Sequence, residues 1–166
     1  GIVAVSEAAR QRLQQESKHP NGWYLNLRIW EHFADIWSDW HPFPVTLPTS
    51  NVLALKRAVA QVLEEGLPQR AERHLRVAEF FRNGVKELGF SLVAPEEYAS
   101  PTVTAILARS ESVQIRSYLK EKWDMLVAGG MGHTKEDIFR IGHMAASANE
   151  AHVRPVLSAL AEYRKG

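Results

Sequence analysis

The sequence has 166 residues, the size of one domain or of two small lobes. Apolar residues make up 45% and charged residues 23%, which excludes a disordered tail, a collagen-like chain and a low-complexity linker. Twenty Lys and Arg against nineteen Asp and Glu leave a net charge of +1, giving no support for a nucleic-acid or membrane-surface partner, and without any cysteine there is no disulfide, thiolate metal site or cysteine nucleophile.

Gly1-Ile-Val-Ala-Val5 is a short apolar run that predicts a buried strand. The chain opens on it directly, with no initiator Met, which reads as a fragment or a processed chain. Ser6 is placed to cap a helix over Glu7–Glu16. Lys18 to Gly22 is a turn signal. A second helix is predicted over Tyr24–Ser38, with Trp23, Trp30 and Trp37 recurring every seven residues as a core or subunit-interface stripe. Pro42, Pro44 and Pro48 break helix and predict an ordered, extended loop. Thr49 or Ser50 then caps a helix that stops at Gly66. A long helix follows over Leu67–Leu88, with Leu75, Ala78, Phe81 and Val85 as its apolar stripe.

The periodicity changes after Gly89. Strands are predicted over Phe90–Val93, Thr102–Ala108, Met125–Ala128 and Ile138–His143. Helices are predicted over Glu111–Trp123 and Asn149–Arg164, with Gly129–Gly132 as a flexible loop. The layout is a helical first part and then an α+β lobe, a three- or four-stranded sheet backed by helices, with a boundary near Gly66. No stretch is long and apolar enough for a membrane span.

Arg140 is the most informative single residue. It sits between apolar neighbours in Ile138-Phe-Arg-Ile-Gly142, where a guanidinium stays charged and needs an anionic partner or a route to water. A ligand carboxylate suits its planar fork; a structural ion pair or an edge strand facing water are the alternatives. The Gly129–Gly132 loop has neither a P-loop Lys-Ser/Thr nor a dinucleotide fingerprint, so a tight turn is the better reading. His133 and His143 lack a metal-binding spacing and a third ligand, so no metal is expected. His74 reads as a partly exposed packing residue. Thr46 offers a hydroxyl in a rigid loop, for a phosphate oxygen or for the local backbone.

Taken together, several strings carry a resemblance: Gly1-Ile-Val-Ala-Val-Ser6, His41-Pro-Phe-Pro-Val-Thr46-Leu-Pro48, Glu64-Glu-Gly66-Leu67, Arg73-His74, Ser100-Pro-Thr-Val-Thr104, Gly129-Gly-Met-Gly132 and Phe139-Arg-Ile-Gly-His-Met144. Over essentially its whole length the chain resembles the C-terminal portion of a class V aminotransferase of the alanine/serine–glyoxylate type, a pyridoxal-phosphate enzyme of fold type I (α/β). The resemblance implies residues 1–66 as the end of the large cofactor-binding domain and 67–166 as the small C-terminal domain. It implies Arg140 as the residue that binds the substrate α-carboxylate. It implies Thr46 as a contact to the cofactor phosphate of the other subunit of a homodimer, and Phe43 at a place where relatives often carry a tyrosine for the same contact. Phenylalanine has no hydroxyl, and Ala145 stands where a glycine usually follows Met144. The Schiff-base lysine falls upstream of Gly1 in this pattern, so the expectation is that these residues alone catalyse no transamination.

The implied reaction passes the amine of alanine or serine to glyoxylate or pyruvate, in partnership with the N-terminal segment of the same protein. A 2-aminoethylphosphonate-type transaminase on the same fold is one alternative. A stand-alone carboxylate-binding or dimerisation module is the other. The default compartment is cytoplasmic, with peroxisome and other organelles left open.

Overall fold

Glycine, proline and asparagine punctuation sets the helices. The computed structural model describes residues 2–15 and 22–166. The turn signal at 18–21 lies outside the described residues. The chain divides into two compact units, Gly1–Val59 and Ala60–Gly166.

The first unit is helical. Helix α1 spans Glu7–Gln15 and α2 spans Leu27–Ile36; α3, Thr49–Glu65, begins in this unit. The strand expected at the amino terminus does not form. Ile2 and Val3 are 80% and 72% exposed. No described strand pairs with them, and an apolar run without a ladder partner cannot satisfy its backbone as a strand. Helix α2 starts three residues later than expected because Asn26 caps it: its side-chain oxygen accepts from the Arg28 N–H at 3.1 Å. Trp23 therefore precedes the helix, and it remains 50% exposed. The expected stripe becomes a chain of aromatic contacts instead. Trp23 meets Phe33 at 5.5 Å between centroids, Phe33 meets Trp37 at 4.3 Å, and Trp37 meets Trp40 at 5.4 Å. The Trp23 indole N–H donates to the Pro44 carbonyl at 3.0 Å, which ties down the proline loop. Pro48, rather than Thr49 or Ser50, supplies the first turn of α3, its carbonyl accepting from Asn51 and Val52.

The second unit is a sheet backed by helices. Helix α4 spans Leu67–Glu87, α5 spans Ser112–Trp123 and α6 spans Glu150–Tyr163. The strands are β1 (Ser91–Leu92), β2 (Val103–Leu107), β3 (Ala128–Gly129) and β4 (Ile138–Gly142). They form one antiparallel sheet in the order β1-β2-β4-β3. The third strand is shorter and later than the Met125–Ala128 run suggested, because only Ala128 and Gly129 reach register with Arg140 and Phe139.

The core follows from alternation. Thr104, Ile106, Phe139 and Ile141 point inward and are buried. They meet Val77, Phe81 and Val85 of α4, Ile115 and Leu119 of α5, and Val153, Ala159 and Leu160 of α6. The α4 stripe differs from the expected one at its start: Ala78, Phe81 and Val85 are buried, but Leu75 is 56% exposed and His74 takes the inward place. Arg140 alternates onto the other face, paired across to Ala105 on β2 and Ala128 on β3. Among the described residues no helix is long and apolar enough to cross a membrane.

Candidate functional site

Arg140 stands on an inner strand and is half-buried. Its Nε donates to the Gly129 carbonyl at 2.9 Å. The sequence demanded an acid or water for this guanidinium; the structure supplies a backbone carbonyl. No carboxylate lies within ion-pair distance of Arg140 among the described residues. With Nε engaged by the backbone, the two terminal nitrogens have no hydrogen-bond partner among the described residues. That is the edge a carboxylate takes with two parallel hydrogen bonds. A cavity of about 590 Å³ opens beside Arg140, walled by Met125, Val127, Ala128 and Ile141 and by Ala151 and Val156 of α6.

The glycine loop is tied by hydrogen bonds at both ends. Gly129 belongs to β3, and the Gly130 N–H donates to the Ile138 carbonyl at 3.0 Å. Gly132, with φ +55°, starts a single 3-10 turn over Gly132–Thr134. The Thr134 hydroxyl closes that turn by donating to the Met131 carbonyl at 2.9 Å.

Two of the strings that carry the resemblance, Glu64-Glu-Gly66-Leu67 and Arg73-His74, meet in one contact. Arg73 reaches Glu65 twice, Nε to Oε1 at 2.5 Å and Nη2 to Oε2 at 2.9 Å, and Arg70 adds a third bond at 2.8 Å. The remaining Arg73 nitrogen donates to the carbonyls of Ala145 and Ala148 at 2.9 and 2.6 Å. His74, expected to be partly exposed, is buried and fully engaged. Its Nδ1 lies 2.6 Å from the Arg70 carbonyl and so carries the proton; Nε2 accepts the Ala145 N–H at 3.0 Å. The loop that leaves β4 is thus held by side chains from α4. The hydrogen bond from Arg73 leads the causes that bring the Glu65 carboxyl down to about 2. His143 is also buried, with Nε2 2.8 Å from the Thr104 hydroxyl, and burial holds it below the ordinary histidine value. His133 is exposed, and among the described residues no group of acids and histidines is arranged to hold a metal ion.

Two predictions follow from this clasp. The Glu65 value is depressed relative to an unfolded carboxyl, so its contribution to stability is present above about pH 4.5 and is lost as pH falls toward 2. Thermal melts of the native chain between pH 5 and pH 2 should therefore fall more steeply than those of Glu65→Gln; parallel curves would remove the clasp as a source of acid sensitivity. Ala145 sits at φ +52°, a left-handed conformation that costs an alanine roughly 1–2 kcal/mol. Restoring glycine there should stabilise the second unit by about 0.5–1 kcal/mol in chemical denaturation, because glycine's extra chain entropy offsets part of the relief.

Phe43 and Thr46 lie in the first unit. Thr46 is exposed, and its hydroxyl makes no hydrogen bond among the described residues, which suits a donor to a phosphate oxygen. Phe43 does not fit that task. Its ring stands edge-on to His41 at 5.9 Å and lines an apolar cavity with Leu27, Trp30 and Pro42. Sequence reasoning passed over the Gly129 carbonyl, because a backbone acceptor leaves no signature in residue types.

No protein-family model matches the chain. Among curated relatives, the small subunit of a soluble hydrogenase from Synechococcus sp. is 39% identical over 105 residues, covering 63% of this chain and 27% of that protein. An uncharacterized aminotransferase of Methanocaldococcus jannaschii is 34% identical over 144 residues, covering 86% of this chain and 36% of its own length. The crystal structure of pyridoxamine–pyruvate aminotransferase from Mesorhizobium loti matches with a TM-score of 0.84 at 29% identity, over 97% of this chain and 41% of that one. Alanine–glyoxylate aminotransferases of several animals are also similar, at 26% to 27% identity. The chain spans between 27% and 42% of the length of the curated relatives it matches.

Proposed function

The chain belongs to the class V aminotransferase family, and on that premise we propose that it is the C-terminal part of a pyridoxal-phosphate-dependent enzyme moving an amino group from alanine or serine to glyoxylate or pyruvate. The observation that carries the reading is Arg140, whose Nε is taken by the Gly129 carbonyl while its terminal nitrogens meet no acid. In this reading Arg140 grips the substrate carboxylate, and the Gly129 carbonyl keeps the guanidinium from swinging. Bound pyridoxal phosphate supplies the electron sink that lets the amino group leave one carbon skeleton and join another. The free Thr46 hydroxyl gives a hydrogen bond to the cofactor phosphate of a partner subunit. Phe43 contributes packing and no donor.

The rest of the reading concerns assembly. Residues 1–66 close the large domain and 67–166 form the small one. A homodimer is supported by the exposed apolar side chains of α3, Val52, Leu53, Leu55, Val59 and Leu63, which ask for cover. In this reading the Schiff-base lysine belongs to another part of the enzyme, so that these 166 residues by themselves turn over no substrate. Steady conversion of alanine and glyoxylate by this chain alone would overturn that part.

The test of the site is titration of the chain with pyruvate, followed by NMR. Arg140→Gln should take binding below detection, since truncating one side of a hydrogen-bonded charge pair costs roughly 2–5 kcal/mol. Pyruvate affinity equal to that of the native chain, in a folded variant, rejects Arg140 as the carboxylate residue.

A further inference from the structure

Gly129 is touched by two arginines. Arg140 donates to its carbonyl from the open face of the sheet. From α5, the Arg116 guanidinium lies face-on to its Cα. A Cβ built on Gly129 would stand 3.0 Å from Arg116 Cζ, 3.1 Å from Nη1 and 3.3 Å from Nε. A side chain at position 129 would be tight against the guanidinium and would push it back by a few tenths of an ångström. The Gly129–Gly130 peptide is then held on three sides. Its N–H is taken by Ile138, its carbonyl by Arg140, and the Cα before it is covered by Arg116.

Packing alone does not explain an arginine at this place. Its Nε is buried with no hydrogen-bond partner, and no carboxylate lies within ion-pair distance among the described residues. A guanidinium keeps its charge under such conditions, and shutting its Nε–H away from water without an acceptor is costly where a methionine would pack at no such cost. Two cations therefore converge on one glycine, with no protein anion to neutralise either.

We propose that Arg116 is a positioning residue for Arg140. It pins the Gly129–Gly130 peptide, whose carbonyl fixes Arg140 Nε and leaves both terminal nitrogens for a ligand carboxylate. Its charge adds to the field that draws the anion in. The inference rests on the reading of Arg140 as the carboxylate residue, and the experiment separates the two.

The readout is the Nε–H resonance of Arg140 in arginine-selective NMR of the 166-residue chain, with pyruvate as the probe. In Arg116→Met that proton should exchange with solvent about tenfold faster, the loss of one ordinary hydrogen bond. Pyruvate affinity should fall about three- to tenfold, the size of a partly screened charge interaction, while the melting temperature holds or rises. Arg116→Lys keeps the charge without the flat contact, so it should recover affinity but not the slow exchange; it also serves if the methionine variant does not fold. Unchanged Nε–H exchange in a folded Arg116→Met overturns the inference, whatever pyruvate does. Faster exchange in a chain whose native form takes no pyruvate leaves the positioning role standing and brings down the carboxylate reading of Arg140.

Discussion

Gly130→Ala should destabilise the second unit by about 3 kcal/mol, at the upper end of ordinary overpacking. A Cβ at this position would stand 2.6 Å from the Thr134 carbonyl carbon, closer still to its oxygen, and 2.7 Å from Ile138 Cγ1. A flexible side chain could swing aside, but a carbonyl inside a closed turn cannot. Relief has to come from the backbone, by breaking the Gly130–Ile138 hydrogen bond or opening the 3-10 turn after it. Either movement carries the Gly129 carbonyl away from Arg140. The variant should therefore lose pyruvate binding together with stability, as followed by urea unfolding and by titration at low urea. A Gly130→Ala chain as stable as the native one would show that the loop has room to rearrange.

Phe139→Ala should cost more, about 3–5 kcal/mol, the range for removing a large buried aromatic. Phe139 has no exposed surface, faces Ile106 across the β2–β4 ladder and stands edge-on to Phe90 at 6.2 Å. It is the inward neighbour of Arg140, so the cavity opens directly beneath the strand that carries the guanidinium. Leu75→Ala is the matched control: an apolar residue on an exposed face, expected to change stability by less than about 0.5 kcal/mol. Calorimetric or denaturant unfolding of the two variants settles the contrast. Equal costs would mean that the core is not organised around β4 as described.

The helices of the second unit and the strands β2 and β4 were legible from the sequence within a residue or two. Their signals are local. Gly66 and Gly89 mark helix ends at φ +85° and +80°, Asn149 caps α6, and the apolar periods of 3.6 and 2 switch where the sheet begins. The amino-terminal run misled because an apolar stretch says that burial is wanted, not that a partner strand is at hand. The tryptophan heptad carries no mark of where α2 begins, because the capture of the Arg28 N–H by Asn26 delays the helix from Tyr24 to Leu27.

For the candidate site, the sequence by itself determined the cation. An arginine between Phe139 and Ile141 on a strand keeps its charge, so some acceptor must meet it. Which acceptor does so depends on register, and register is tertiary. Pairing of β3 with β4 brings the Gly129 carbonyl to Arg140 Nε, and the packing of α5 brings Arg116 to the other side of the same glycine. Glu65, Arg73, His74 and Ala145 divide in the same way. Their residue types were visible as separate strings, but the hydrogen bonds from α4 to the loop after β4 span 71 to 75 residues. Local preference fixes the elements because each depends on its own few neighbours. The clasp and the Arg140 anchor depend on groups far apart in the chain, and only the fold brings them within hydrogen-bond distance.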